Sequence, residues 1–221
     1  VGTLTNQLIE DAYRTTQLVA GSEPEIASIP AKGEGVDGLT EALRCMVIGS
    51  AGLAAPTMMG HMDTAPHPAA VFADALVAAL NNNLLFREIS PFASRVEEAV
   101  VEQMGLKLGL TREWVGTFTS GGSLANLTAL FAAAGGFADV DSRPTCELFV
   151  PECAHTSITK AAAILGIGAE RVHTVTGDDQ GRADPEQLDV ALRKCRAKRK
   201  IVVAVLGSTV HGAVENVGAL A

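Results

Sequence analysis

Aromatic residues are scarce: Phe, Trp and Tyr make up 4% of the 221 residues, with a single Trp and a single Tyr. A core must therefore be built from small and aliphatic side chains, a mix that suits helices packed closely on a parallel sheet. No apolar run approaches the roughly 20 residues of a membrane-spanning helix. Val1, Gly2 and Thr3 offer neither a basic n-region nor an apolar h-region, so no signal peptide is expected and the setting reads as cytoplasmic. Cysteine occurs four times, at Cys45, Cys146, Cys153 and Cys195. These form no CxxC pair and no zinc spacing, which leaves four reduced thiols. Positive charge is also short. The formal net charge is −8, so no broad basic patch is available for a nucleic-acid backbone. The one basic cluster, Arg193, Lys194, Arg196, Lys198, Arg199 and Lys200, reads as a solvated helix end that complements the macrodipole.

What is present is a hydrophobic content of 48%, enough for a real core. Apolar spacing predicts helices over residues 4–19, 39–46, 69–80 and 95–108. In the last of these Val96, Val100, Met104 and Leu108 share one stripe. Residues 21–38 and 50–68, rich in Gly and Pro, read as loops. From Trp114 onward strands alternate with helices. Strands are expected over 115–119, 147–150, 171–175 and 201–206, and helices over 123–134 and 157–165. A further helix starts at Asp184-Pro185-Glu186, with Asp as N-cap and Pro at the first helical position. Another begins near Gly218. Strands separated by helices mean βαβ units and a parallel sheet, an α/β fold. Two segments follow, a helical and loop portion over 1–68 and the sheet-bearing portion over 69–221.

Two places carry chemistry. Thr119-Ser120-Gly121-Gly122-Ser123 leaves a predicted strand and opens a helix. Adjacent glycines let the backbone approach an anion, and the free N–H groups of a helix start favour negative charge. The segment is a phosphate cradle or a tight strand-to-helix turn. It is neither a Walker motif nor a dinucleotide fingerprint. His155 follows the strand at 147–150. It therefore stands on the carboxyl edge where open α/β sheets bind ligands, as a ligand contact or as a cap.

These residues bring a resemblance into view. The stretch from Gly116 to Leu130, GTFTSGGSLANLTAL in one-letter code, resembles the phosphate-binding segment of the group II pyridoxal-phosphate (PLP) amino-acid decarboxylases. That family includes the glutamate, aromatic-amino-acid and diaminobutyrate enzymes. His155-Thr156-Ser157-Ile158-Thr159-Lys160 resembles the segment whose histidine stacks on the pyridine ring. Residues 206–213, LGSTVHGA, resemble the family's "GTT-x-x-G" turn, and Ser90-Pro91 with Glu97 its "SPA-x-x-x-E" helix entry. The resemblance implies fold type I, a dimer with sites between subunits, and decarboxylation of an L-amino acid to an amine and CO₂. By position it implies that Gly121, Gly122, Ser123, His155 and Thr209 bind the cofactor, with His155 catalytic. It also implies that His61, Met62 and Asp63 face the substrate.

The sequence departs from the family at Val205, where a Thr is usual, and at Asn216 after Glu215, where an Asp is common. The "DAA" aspartate that pairs with the pyridine nitrogen and the "HK" lysine of the Schiff base are expected after Ala221. The fold is then incomplete in this chain, and a second polypeptide segment should complete it within a homo- or hetero-oligomer. Rival readings are another fold type I enzyme (a carbon–carbon lyase or an aminotransferase) and a non-catalytic scaffold half. A third, a zinc site on His61, Asp63 and His67, is set aside because its segment is Pro-rich and has no general-base motif. No metal is expected.

Overall fold

A computed structural model describes residues 32–33, 35–53, 55, 58–59, 65–141 and 143–220. The helix expected over 4–19 lies outside them. The chain divides between Phe92 and Ala93 into two compact units.

The first unit holds helices α1 (Gly35–Gly49) and α2 (Pro68–Leu80). Helix α1 starts four residues inside the stretch expected to be loop and outruns the short helix expected over 39–46. Helix α2 opens as its sequence dictates. His67 is its N-cap, with Nδ1 accepting from the Ala69 N–H at 3.2 Å, and Pro68 stands in the first turn. It ends on Asn81 in the left-handed conformation, whose N–H returns to Val77 O at 3.1 Å.

Helix α3 (Pro91–Lys107) leads into the second unit. There follow α4 (Gly122–Ala133), β1 (Glu147–Pro151), α5 (Ser157–Ile164), β2 (Val172–Val175), α6 (Pro185–Lys194), β3 (Lys200–Val202) and α7 (Val217–Leu220). The three strands are parallel in the order β2-β1-β3, with Leu148 opposite Val172 on one side and opposite Ile201 on the other. The pleat sends alternate β1 side chains to opposite faces. Leu148 and Val150 join Leu130, Ala134, Ala161, Ala162 and Ile167 in a core built with α4 and α5. Phe149 faces the other way, into a core with Val175, Ala183 and Leu188 beneath α6. Helices therefore cover both faces of a parallel sheet, as the strand–helix alternation predicts.

Two expected strands are corrected. Residues 115–119 are irregular: among the described residues no strand runs beside them, and Val115 is 92% exposed. A β-rich composition makes a strand only where a ladder partner exists. The strand expected over 201–206 stops at Val202. Val203 still donates to Phe149 O at 2.9 Å, but the Val205 N–H turns instead to the carboxylate of Glu215, also at 2.9 Å.

The basic cluster is also more built-in than expected. Helix α6 ends at Lys194, so only Arg193 and Lys194 lie in its last turn. Arg199 donates to Ala134 O at 2.5 Å and to Asp139 at 3.1 Å, and Lys200 Nζ donates to Leu192 O at 2.7 Å. Beside them Glu147 ties Arg171, at 3.0 Å, and His173 to the amino-terminal end of β1. This charged lock closes the edge of the sheet opposite the carboxyl ends.

Asp184 caps α6, its Oδ1 accepting from the Glu186 N–H at 2.9 Å and the Gln187 N–H at 3.4 Å. Asp184→Ala should cost about 1 kcal/mol, the usual loss of an N-cap. The midpoint of urea unfolding measures it, and an unchanged midpoint would contradict the cap's contribution.

Candidate functional site

The strand order sets the place. The chain passes from β1 to β2 on one side, then crosses to lay β3 on the other. Such a reversal opens a crevice at the carboxyl ends of the two strands it separates, here β1 and β3. The loop after β1 carries Cys153 and His155, and the turn after β3 carries Ser208 and Thr209.

The glycine turn arrives from α4. Gly121 is its N-cap at φ 157° and ψ 170°, a corner that side chains other than glycine's rarely enter. A methyl group built on Gly121 or Gly122 would meet nothing within 4 Å, so the backbone there faces open space. The first N–H groups of a helix have no partner within it. Leu124 and Ala125 donate back to Gly121 O, whereas among the described residues the N–H groups of Gly122 and Ser123 have no acceptor. Two free donors, a neighbouring hydroxyl and an open approach fit a tetrahedral anion.

Helix α5 opens differently. Thr156 stands at its N-cap position without a side-chain bond. The cap is supplied by His155, whose Nδ1 accepts from the Ser157 N–H at 3.1 Å and lies 2.9 Å from Ser157 Oγ. Ser157 Oγ in turn accepts from Asn126 Nδ2 at 2.8 Å. Ser157 is the first residue of α5 and Asn126 lies in the second turn of α4. The amino-terminal ends of the two helices are thus side by side, and the glycine turn and His155 share one edge. His155 is exposed as a residue, with its Nδ1 turned to the start of α5.

The turn after β3 is closed by its own backbone. Gly207 and Ser208 donate to Ala213 O at 2.8 and 3.0 Å, Gly212 donates to Ser208 O at 2.8 Å, and the Ala213 N–H donates to Ser208 Oγ at 3.0 Å. Gly207 at φ 97° and Gly212 at φ 62° take the positive φ this turn needs. Thr209 is exposed on it. The buried carboxylate of Glu215 holds the base, accepting from the Ala183 and Val205 N–H groups at 3.1 and 2.9 Å. The turn reaches the β1 loop at Cys153. Burial first, then the negative charge of Glu215, push the Cys153 thiol pKa up, while a hydrogen bond with Ser208 opposes them. Such a thiol is a poor nucleophile.

Of the residues singled out from sequence, Gly121, Gly122, Ser123 and His155 are gathered on one edge. Thr209 lies on the turn whose Ser208 meets Cys153, two residues before His155. His61, Met62 and Asp63 lie outside the described residues. Asn126, Ser157 and Glu215 were passed over as site-builders. A serine two residues after the histidine was the available signal. The glycine turn also borders an open apolar groove of about 410 Å³ between α3 and residues 114–119, with Met104, Trp114, Phe118, Gly121 and Gly122 among its walls.

Residues 23–221 match the family model described as the pyridoxal-dependent decarboxylase conserved domain. The L-2,4-diaminobutyrate decarboxylase of Rhizobium meliloti (strain 1021) is 34% identical over 163 residues, covering 72% of this chain and 33% of that protein. The cysteine sulfinic acid decarboxylase of Mus musculus is 29% identical over 202 residues, covering 87% of this chain and 41% of that protein. Among solved structures, the chain superposes on the glutamate decarboxylase domain of a Vibrio parahaemolyticus diaminobutyrate-pyruvate transaminase and L-2,4-diaminobutyrate decarboxylase. The TM-score is 0.84 at 22% identity, over 97% of this chain and 52% of that one. The chain thus spans between a third and about half of the proteins it matches. The α/β architecture expected from sequence is the fold they share.

Proposed function

The chain belongs to the pyridoxal-dependent decarboxylase family, and from that premise we propose that it builds the phosphate-binding and ring-contacting part of a carboxy-lyase that converts an L-amino acid to an amine and CO₂. The observation that carries the reading is the pair of adjacent helix starts on the carboxyl edge, one with free N–H groups at Gly122 and Ser123, the other holding His155 by its Nδ1.

In this reading the N–H groups of Gly122 and Ser123 and the Ser123 hydroxyl hold the phosphate of pyridoxal 5′-phosphate at the start of α4. Gly121 keeps the approach clear of a side chain. His155 lies flat against the pyridine ring, fixing its tilt and shielding one face from water. Thr209 reaches the cofactor from the turn after β3, and His61, Met62 and Asp63 meet the substrate. Bound PLP supplies the electron sink for the pair left behind as CO₂ departs. The lysine that anchors the cofactor and the acid that pairs with its ring nitrogen come from a further segment, in a homo- or hetero-oligomer. The chain's span relative to its relatives supports this division.

The test uses the full protein. With PLP it should show an absorbance band near the visible edge that borohydride reduction abolishes, and it should release CO₂ from one member of an amino-acid panel. Residues 1–221 expressed alone should release none; release by that product would place the anchoring lysine within this chain. His155→Ala should weaken PLP binding about tenfold, the upper range for a lost ring–ring contact. Fluorescence titration measures this, and an unchanged affinity would remove His155 from the ring.

A further inference from the structure

We infer that Asn126 and Ser157 are positioning residues that fix the ring proton of His155 on Nε2. The inference rests on the reading that His155 contacts the cofactor, and its geometry stands apart from that reading. Which nitrogen of a neutral imidazole carries the proton is decided by the partners of the other. Here the partner of Nδ1 is a backbone N–H, that of Ser157 at 3.1 Å, and a backbone N–H can only donate. The tautomer with its proton on Nδ1 would set two N–H groups against each other.

Ser157 Oγ, 2.9 Å from the same nitrogen, could in principle act either way. The backbone N–H, by making Nδ1 an acceptor, sets that hydroxyl as a donor to the ring, and Asn126 supports that direction. The Asn126 amide donates to Ser157 Oγ at 2.8 Å, which leaves the single hydroxyl proton free to point at Nδ1. Ser157 is buried at 4% exposure, and it is shielded within the packed start of α5. Two donors therefore converge on Nδ1, and the ring presents one donor, Nε2–H, and no in-plane acceptor on its exposed side. Ser157 touches the ring through Nδ1, and Asn126 acts on it only through Ser157. Their function is to hold its proton and its plane before any ligand arrives.

The test is the ¹⁵N spectrum of the full protein labelled at histidine, with His155 assigned by its loss in His155→Gln. In the PLP-free protein, Nδ1 should resonate as an unprotonated nitrogen and Nε2 as a protonated one. Asn126→Asp is nearly isosteric but offers Ser157 an acceptor, so the hydroxyl should turn away and leave the backbone N–H as the one donor to Nδ1, which should shift the Nδ1 resonance while keeping it that of an unprotonated nitrogen. Ser157→Ala should lower PLP affinity about tenfold, the loss of one hydrogen bond, and Ser157→Thr, which keeps the hydroxyl, should restore it. Protonated Nδ1 in the unaltered protein overturns the inference, as does a nitrogen spectrum identical in Asn126→Asp. A protein that takes up no PLP overturns the proposed function instead, and the nitrogen shifts, recorded without PLP, still decide the tautomer.

Discussion

A Gly122→Val protein should keep its fold and lose its hold on PLP by about a hundredfold. A Cβ added at this position meets nothing within 4 Å beyond its chain neighbours and its own helix backbone, so the new side chain branches into open space. What it fills is the open space in front of two unpartnered helix-start N–H groups. Charge-assisted hydrogen bonds to a phosphate are each worth about 1.5–3 kcal/mol. Displacing the anion from two of them, even with partial recovery by water, amounts to about 3 kcal/mol, or two orders of magnitude in dissociation constant. Titrating the PLP-free full protein with PLP and following absorbance measures it. Thermal unfolding without PLP is the control and should match the unaltered protein. Gly122→Ala should show a smaller loss. If Gly122→Val binds PLP as tightly as before, the phosphate lies elsewhere.

Glu215→Ala should destabilise the protein by about 3 kcal/mol, because it strands two N–H groups away from water at about 1–3 kcal/mol each. The carboxylate is 4% exposed and bridges two stretches of chain, accepting from Ala183 just before α6 and from Val205 just after β3. Glu215→Gln retains one acceptor oxygen and should lose about half as much. Urea unfolding of both variants gives the two values. A Glu215→Ala loss below about 1 kcal/mol would mean that water replaces the carboxylate and that Glu215 does not set the turn. Because Glu215 also faces Cys153, the same substitution should make that thiol react faster with an alkylating reagent at mildly alkaline pH. Removing the nearby negative charge lowers the thiol pKa and so raises the thiolate fraction.

The parallel architecture was legible because its signals are local. The apolar run at 148–150 marks a strand buried on both faces, and Asp184-Pro185 marks a helix start by hydrogen-bonding chemistry confined to a few residues. Residues 115–119 and 201–206 misled for the opposite reason. Both have strand composition, but whether a strand forms depends on a neighbour the local sequence does not name. At Val205 the deciding partner is a carboxylate ten positions on, which competes for the N–H that a ladder would have used. The stripe of Val96, Val100 and Met104 announced the helix that runs over Pro91–Lys107, while Leu108 falls just past its end and is 77% exposed. At the candidate site, the glycine turn and His155 could be read as two motifs on one edge. Their connection through Asn126 and Ser157 could not, because it joins residues on different helices and exists only once those helices pack.

The strand order also governs how the chain is made. β1 is the middle strand, yet it leaves the ribosome before either neighbour. Its first edge is covered when residues 172–175 emerge, and its second stays bare until residues 200–202 follow. Between those moments a nascent chain carries Phe149 and Leu148 in a half-paired strand, a species prone to wrong pairings. A pause in translation after β2 has emerged from the ribosome and before β3 has would lengthen that exposure, whereas a pause once β3 is out would not. The yield of soluble protein should therefore respond to synonymous changes in the codons read during the first interval and be indifferent to those read after it.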